Sequence, residues 1–306
     1  MQTNTSAQVI LNAGELILKD SAGTAIIARS IPNIIGDITL SGVSGLDTGA
    51  EAASTWYGVR LIVRTTPYVA QAVTASSATD RITLTAHGLP ANAPVVFAGT
   101  LPGGLSAATA YYLRDVTAND FKVAATPNGA AIDLTSDGSS VTMSDLPAVL
   151  FTSGSGGATM PAGYDGRALI GMVRNDSGSN FIGFHQRDFR TWIAEQLIFT
   201  AFAGVTTYTA QSIASAVPPN AVSVTGMIGV SSAVTKNVGV SANSAGTLGV
   251  MHKPGYSAGD AGTFSGWFAA EEFNDLPMIT AQTLFWIAED TNAEYRMTIT
   301  GFLNAT

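Results

Sequence analysis

The chain has 306 residues, 46% of them hydrophobic and only 12% charged, about half the charged share of an average soluble domain. That length implies two or three domains with their own cores, under a surface covered by Ser, Thr, Asn, Gly and Ala rather than by charge. The absence of cysteine excludes a disulfide framework and a thiolate metal site, and a net charge of −8 with singly scattered Lys and Arg lacks the clustered positive charge that nucleic acid needs.

The N-terminal residues MQTNTSAQVILNAGEL show no positive region followed by an apolar run, so no signal peptide is expected. The apolar runs are far shorter than the ~20 residues of a membrane helix, so membrane insertion is not expected and synthesis should be cytoplasmic. A low-charge, hydroxyl-rich surface suits a protein packed among other copies.

Taken in order, Val9–Leu11 and Glu15–Leu18 read as strands around a turn at Asn12-Ala13-Gly14. A second turn follows at Asp20–Gly23, Thr24–Ala28 resumes the strand, Pro32 breaks it, and Asp37–Leu40 begins another. Trp56–Val63 reads as a strand with one buried face and a partly buried second face, ended by Pro67. From Val69 to Met143 the character changes to six short strands separated by turn chemistry, with Ile132–Leu134 and Val141–Met143 as the last two. Such spacing predicts a compact antiparallel β-module.

Pro147–Phe151 resumes strand character, and the SGSGG run in Phe151–Thr159 predicts a mobile loop. Arg167–Val173 and Phe181–Phe184 read as a hairpin around Asn175–Gly178. Phe189–Phe202 fits helical spacing through Phe189, Trp192, Ile193 and Leu197, then strand spacing; the β-rich surroundings favour strand. Beyond it, Tyr295, Met297, Ile299 and Leu303 share one face of a final strand. Phe264, Trp267, Phe268, Phe273, Phe285 and Trp286 supply bulk for a sandwich core. The expected fold is therefore all-β: several small antiparallel units, one inserted into another, and a C-terminal β-sandwich. The division is 1–68 plus 147–193 as a discontinuous unit, 69–146 as the inserted module and 194–306 as the sandwich.

Two separated stretches carry a family resemblance. GLDTG (Gly45–Gly49) with STWYGVRLIV (Ser54–Val63), and MPAGYDGRALIGMVRNDSGSNFIGF (Met160–Phe184), resemble a segment common in virion structural proteins of tailed bacteriophages, particularly tail-fibre and related appendage proteins. In that family the two stretches follow closely; here the 69–146 module separates them, which makes it an insertion. Within it, DRITLTAHGLP (Asp80–Pro90), LPGGLSAATAYYLRD (Leu101–Asp115) and NDFKVAATPNGAAIDLTSDGS (Asn119–Ser139) are similar to a small β-module repeated in many phage virion proteins. VPPNAVSVTG (Val217–Gly226) resembles strands of phage fibre β-sandwiches.

No motif reads as a catalytic site or calls for a cofactor. His87, His185 and His252 lie in separate stretches without metal-ligand spacing. Ser155 lies in GSGG, which is not a nucleophile elbow, and Asp176–Asn180 lacks the acidic spacing of a calcium loop. Glu271 and Glu272 are adjacent, so on a strand they point to opposite faces. Trp267 and Trp286 are the candidates for receptor or glycan contact, against the default of core packing.

The resemblance implies a virion component without enzymatic activity, assembled in the host cytoplasm: a homo-oligomeric tail fibre or appendage protein, read as a homotrimer. Its partners would be its own copies, other virion proteins and a host-surface glycan or protein in host attachment. The alternatives are a capsid decoration protein or head fibre, and a polysaccharide depolymerase, which would need paired carboxylates on a long solenoid.

Overall fold

The computed structural model describes residues 1–154, 156–202, 204–231, 236–252, 269–288 and 293–305. The chain is all-β: among the described residues there are 22 strands, joined in antiparallel sheets, and no helix. It divides into two compact units, Met1–Phe181 and Ile182–Thr306.

The first unit opens with β1 (Gln2–Thr3), β2 (Gln8–Lys19), β3 (Ala25–Asp37) and β4 (Trp56–Arg64). The β2–β3 turn lies at Asp20–Gly23, where Gly23 takes φ +85° and donates its N–H to the Asp20 carbonyl. The turn expected at Asn12–Gly14 does not form. β2 runs straight through it, and opposite Leu11–Ala13 the partner β3 carries one extra residue between Ile31 and Ile34 as a register shift. Pro32 does not break β3, because β3 has its ladder with β2 alone and a residue without an N–H is tolerated on an edge strand. Nor is Asp37–Leu40 a strand: Asp37 closes β3 and accepts the Leu40 N–H in a turn.

Seven short strands follow: β5 (Gln71–Ala72), β6 (Thr74–Ser76), β7 (Arg81–Thr83), β8 (Pro94–Thr100), β9 (Tyr111–Arg114), β10 (Asp120–Ala124) and β11 (Ser139–Asp145). They form one sheet in the order β5-β11-β8-β9-β10-β7-β6. Ile132–Leu134 contributes no strand; Ile132 merely donates its N–H to the Val123 carbonyl beside an Ala124–Ala131 bridge.

The chain then returns as β12 (Ala148–Ser153) and β13 (Tyr164–Arg174), which flank β4 on its two sides. The expected pairing of Arg167–Val173 with Phe181–Phe184 is absent. β13 spends its ladder on β4, and only an isolated Asn175–Phe181 bridge remains.

β4 and β12 are buried on both faces. Val59, Leu61, Val149 and Phe151 share one face, packed under β3 so closely that a Cβ on Gly36 would lie 2.4 Å from Val149 Cγ1. On the other face Ile62, Ala148 and Leu150 join Val43 and Tyr164 in a single apolar cluster with Ile82, Val95, Phe97, Leu113 and Phe121 of the seven-stranded sheet. Tyr112 extends this contact by accepting a hydrogen bond from the Ile35 N–H of β3. At the root, Arg64 Nη1 lies 3.0 Å from Asp145 Oδ2, with side chains only 11% and 6% exposed. The same Oδ2 accepts the Tyr68 N–H, while Oδ1 is buried and accepts nothing among the described residues.

The second unit comprises β14 (Phe184–Arg187), β15 (Arg190–Ala201), β16 (Thr209–Ser212), β17 (Ala221–Ser231), β18 (Val238–Ser241), β19 (Gly249–His252), β20 (Ala269–Pro277), β21 (Thr283–Ala288) and β22 (Glu294–Asn304). One sheet runs β14-β15-β22-β17-β20 and a second runs β16-β21-β18-β19. Phe199 and Tyr295 of the first meet Trp286 of the second at ring-centroid distances of 4.5 and 6.0 Å, which makes a sandwich core. The ambiguous Phe189–Phe202 stretch is thus strand. On β22, Tyr295, Met297 and Ile299 are buried as expected, but Leu303 is not their continuation. A register shift opposite Thr225 and Gly226 inserts one residue, so Phe302 turns inward in its place.

Two outcomes follow from the Arg64–Asp145 pair. Arg64→Ala leaves a buried carboxylate unpaired and should cost about 3 kcal/mol in urea unfolding. Burial raises the Asp145 carboxyl above its ordinary range, outweighing the Tyr68 N–H and Arg64. The folded state therefore holds this proton more tightly than the unfolded chain, and stability falls as pH rises from about 4 through the raised value. Asp145→Asn should flatten that slope in denaturation measured from pH 4 upwards; an unchanged slope would refute the assignment.

Candidate interaction surface

Among the described residues, the side chains that could carry chemistry do not converge, and the side chain of His252 lies outside that description. His87 is buried, with Nδ1 accepting the Leu89 N–H and its ring edge-on to Phe121 at 5.3 Å. His185 lies on β14, opposite Trp192 of β15, with the two ring centroids 6.1 Å apart. Ser155 lies outside the described residues. Asp176 Oδ1 accepts the N–H groups of Asn180 and Gly178, which hold the carboxyl below its usual range and make this loop a self-satisfied turn. Glu271 and Glu272 sit opposite Ile228 and Met227 of β17, on opposite faces of β20. Among the described residues no three His, Asp or Glu side chains gather where a metal ion could be held.

Asp275 is an acid held against a cation by a bent backbone. It takes φ 53° at a bulge in β20, and its Oδ2 lies 2.6 Å from Arg190 Nη2 across β22 and β17. Arg190 holds this carboxyl below the usual range. The pair ties β15 to the edge strand β20 over the two intervening strands.

Of the two tryptophans expected to meet a receptor or glycan, Trp267 lies outside the described residues. Trp286 is only 6% exposed and is wedged between Phe199 and Tyr295. A ring stacked on its own core has no free face for a sugar, so the core-packing default applies to it.

Two of the exposed large apolar side chains, Trp192 and Leu197, lie on the outer face of the β14-β15-β22-β17-β20 sheet. Cross-strand register assigns the faces. Thr191 and Phe199 sit opposite the buried Phe302 and Met297, whereas Trp192 sits opposite Gly301 and Leu197 opposite Thr298. Trp192 and Leu197 accordingly stay 45% and 58% exposed. Two register shifts in β15, after Trp192 and after Leu197, let these residues and the inward Phe199 reach their respective sides. Beside Leu197 on the same face, Gly229 and Ala270 floor a dent of about 130 Å³ rimmed by Glu195, Met227, Arg296 and Thr298. Sequence reasoning missed this surface, because each bulge reverses which residues of a strand face out.

These placements predict opposite outcomes for two tryptophans. Trp286→Ala should cost about 3–5 kcal/mol in chemical denaturation, as a large core truncation does. Trp192→Ala should cost about 1 kcal/mol or less.

Searches against protein families, characterised proteins and solved structures return no match for this chain.

Proposed function

We propose that this protein is a structural component of a tailed-phage virion: a homo-oligomeric tail fibre or appendage protein, assembled as a trimer and able to contribute to host-surface binding. The observation that carries this reading joins sequence to fold. The two stretches that resemble the phage segment are far apart in the chain, yet Trp56–Arg64 and Tyr164–Arg174 run side by side as neighbouring strands. A segment continuous in that family thus has the same two halves in contact here, with the seven-stranded module placed between them.

Three further features support the reading. The chain is all-β, a form suited to extended particles that resist mechanical load. The surface is poor in charge, which suits packing among sister chains. The described acids Asp145, Asp176 and Asp275 are tied into ion pairs or a turn, a structural use of such groups. The role is then mechanical and adhesive, and the protein acts without an enzymatic step.

The test is placement in a particle. Gold-labelled antibodies raised against this chain should decorate the tails of virions whose genome encodes it, and the purified protein should sediment as three chains at micromolar concentration. Label on the capsid would assign it to the head instead. Unlabelled particles together with a stable monomer would remove the proposal.

A further inference from the structure

We propose that Asn128 is a self-modification site: its side-chain amide is lost to the backbone of Gly129 when the Thr126–Gly129 turn opens, and the closed turn holds that reaction off.

The dipeptide is the first observation. Asn128-Gly129 is the only asparagine–glycine pair in the chain, and every other asparagine precedes a residue with a β-carbon. With no side chain on the following residue, its backbone nitrogen swings without hindrance onto the asparagine side chain. The Gly129 nitrogen attacks Cγ of Asn128; the new C–N bond forms, the Cγ–Nδ2 bond breaks, and ammonia leaves with the amide proton. The five-membered imide then takes up water and opens at either carbonyl, leaving aspartate or its β-linked isomer. Water is the only other reactant, and Asn128 is exposed to it.

The turn is the second. Pro127 and Asn128 fill its two central positions, Asn128 at φ 51°, and the Gly129 N–H donates to the Thr126 carbonyl at 3.0 Å. That bond occupies the nucleophile. The Asn128 N–H is held in turn, 2.8 Å from Asn92 Oδ1, and Arg114 donates to the Gly129 carbonyl. The backbone on both sides of the reacting bond is therefore fixed, and attack requires the turn to open. The fold nonetheless favours this pair. Asparagine is one of the few residues besides glycine that accept a left-handed φ, and a Cβ at position 129 would lie 2.6 Å from Thr126 Oγ1.

Position is the third. The carbonyl of Asn92, the residue that holds Asn128, accepts the Ser44 hydroxyl at 2.9 Å. Ser44 follows Val43, which packs in the same apolar cluster as the seven-stranded sheet. A β-linked aspartate adds one carbon to the main chain and cannot rebuild the turn, so the lesion reaches the base on which the module sits.

The test compares one protein in two states. Full-length chain is incubated at mildly alkaline pH with and without denaturing urea, and peptide mapping reads the exchange of NH for O at residue 128 and the share of β-linked product. Conversion is expected in urea, and on the order of tenfold or more slower in the folded protein, because the turn must first open. Asn92→Gly removes the acceptor of the Asn128 N–H and tolerates the φ of 62° at that position. It should keep the wild-type circular dichroism, speed conversion of the folded protein several-fold and leave the rate in urea unchanged. No conversion at Asn128 in urea, or equal rates in the two states, overturns the proposal. An unchanged rate in folded Asn92→Gly overturns the hold exerted through Asn92. If Asn92→Gly misfolds, the wild-type comparison alone decides.

Discussion

The structure of the first unit depends on one strand pair, β4 with β12. Ile62 lies directly opposite Ala148 and Leu61 opposite Val149, so the two ends of a module of more than 70 residues are held at a single ladder spacing. Because a strand alternates its faces, the same pair serves two layers at once. Val59, Leu61, Val149 and Phe151 pack towards β3, while Ile62, Ala148 and Leu150 pack into the seven-stranded sheet. That is why the middle of both strands is buried and reads as a largely apolar run. The Arg64–Asp145 pair sits where the chain leaves and re-enters this ladder, a charged contact closing the rim of an apolar one.

How much of this was legible in the sequence varies with local chemistry. Positions governed by turn residues were readable: the Asp20–Gly23 turn and the closely spaced strands from Arg81 to Ala124 follow from Gly, Pro, Asn and Asp placed where the backbone must reverse. What could not be read was the bulge. Ser30 in β3 and Asp275 in β20 adopt positive φ within strands, and nothing in a Ser or an Asp announces that in advance. At Asp275 the register slips by one residue, and beyond such a slip the alternation is reversed. A one-residue register shift in β22 produces the error at Leu303, where Phe302 turns inward instead, and another in β3 faces the false turn at Asn12–Gly14.

The same effect accounts for the helix-like spacing around Trp192. Its apolar residues recur at three- and four-residue intervals because two register shifts add residues to a strand that otherwise alternates. A periodicity of 3.6 and a bulged periodicity of 2 are indistinguishable over so short a window. The candidate surface was hidden for this reason. Composition points to aromatic residues in the C-terminal half, but only cross-strand register tells that Trp286 faces the core and Trp192 the outside.

The close approach of the module's two ends to one another has an implication for how such chains diversify. Geometrically, β4 and β12 need only a short turn between them, so the module behaves as cargo that a parent fold could gain or lose by recombination without disturbing its ladder. Its underside is not neutral, however. Excision would strip the cover from Val43, Ile62, Leu150 and Tyr164 and leave a sticky apolar patch on the parent. Any replacement must therefore arrive with a greasy base of matching footprint. Exchange at this site selects for modules by the side they hide, while the side they show to the world is left free to vary.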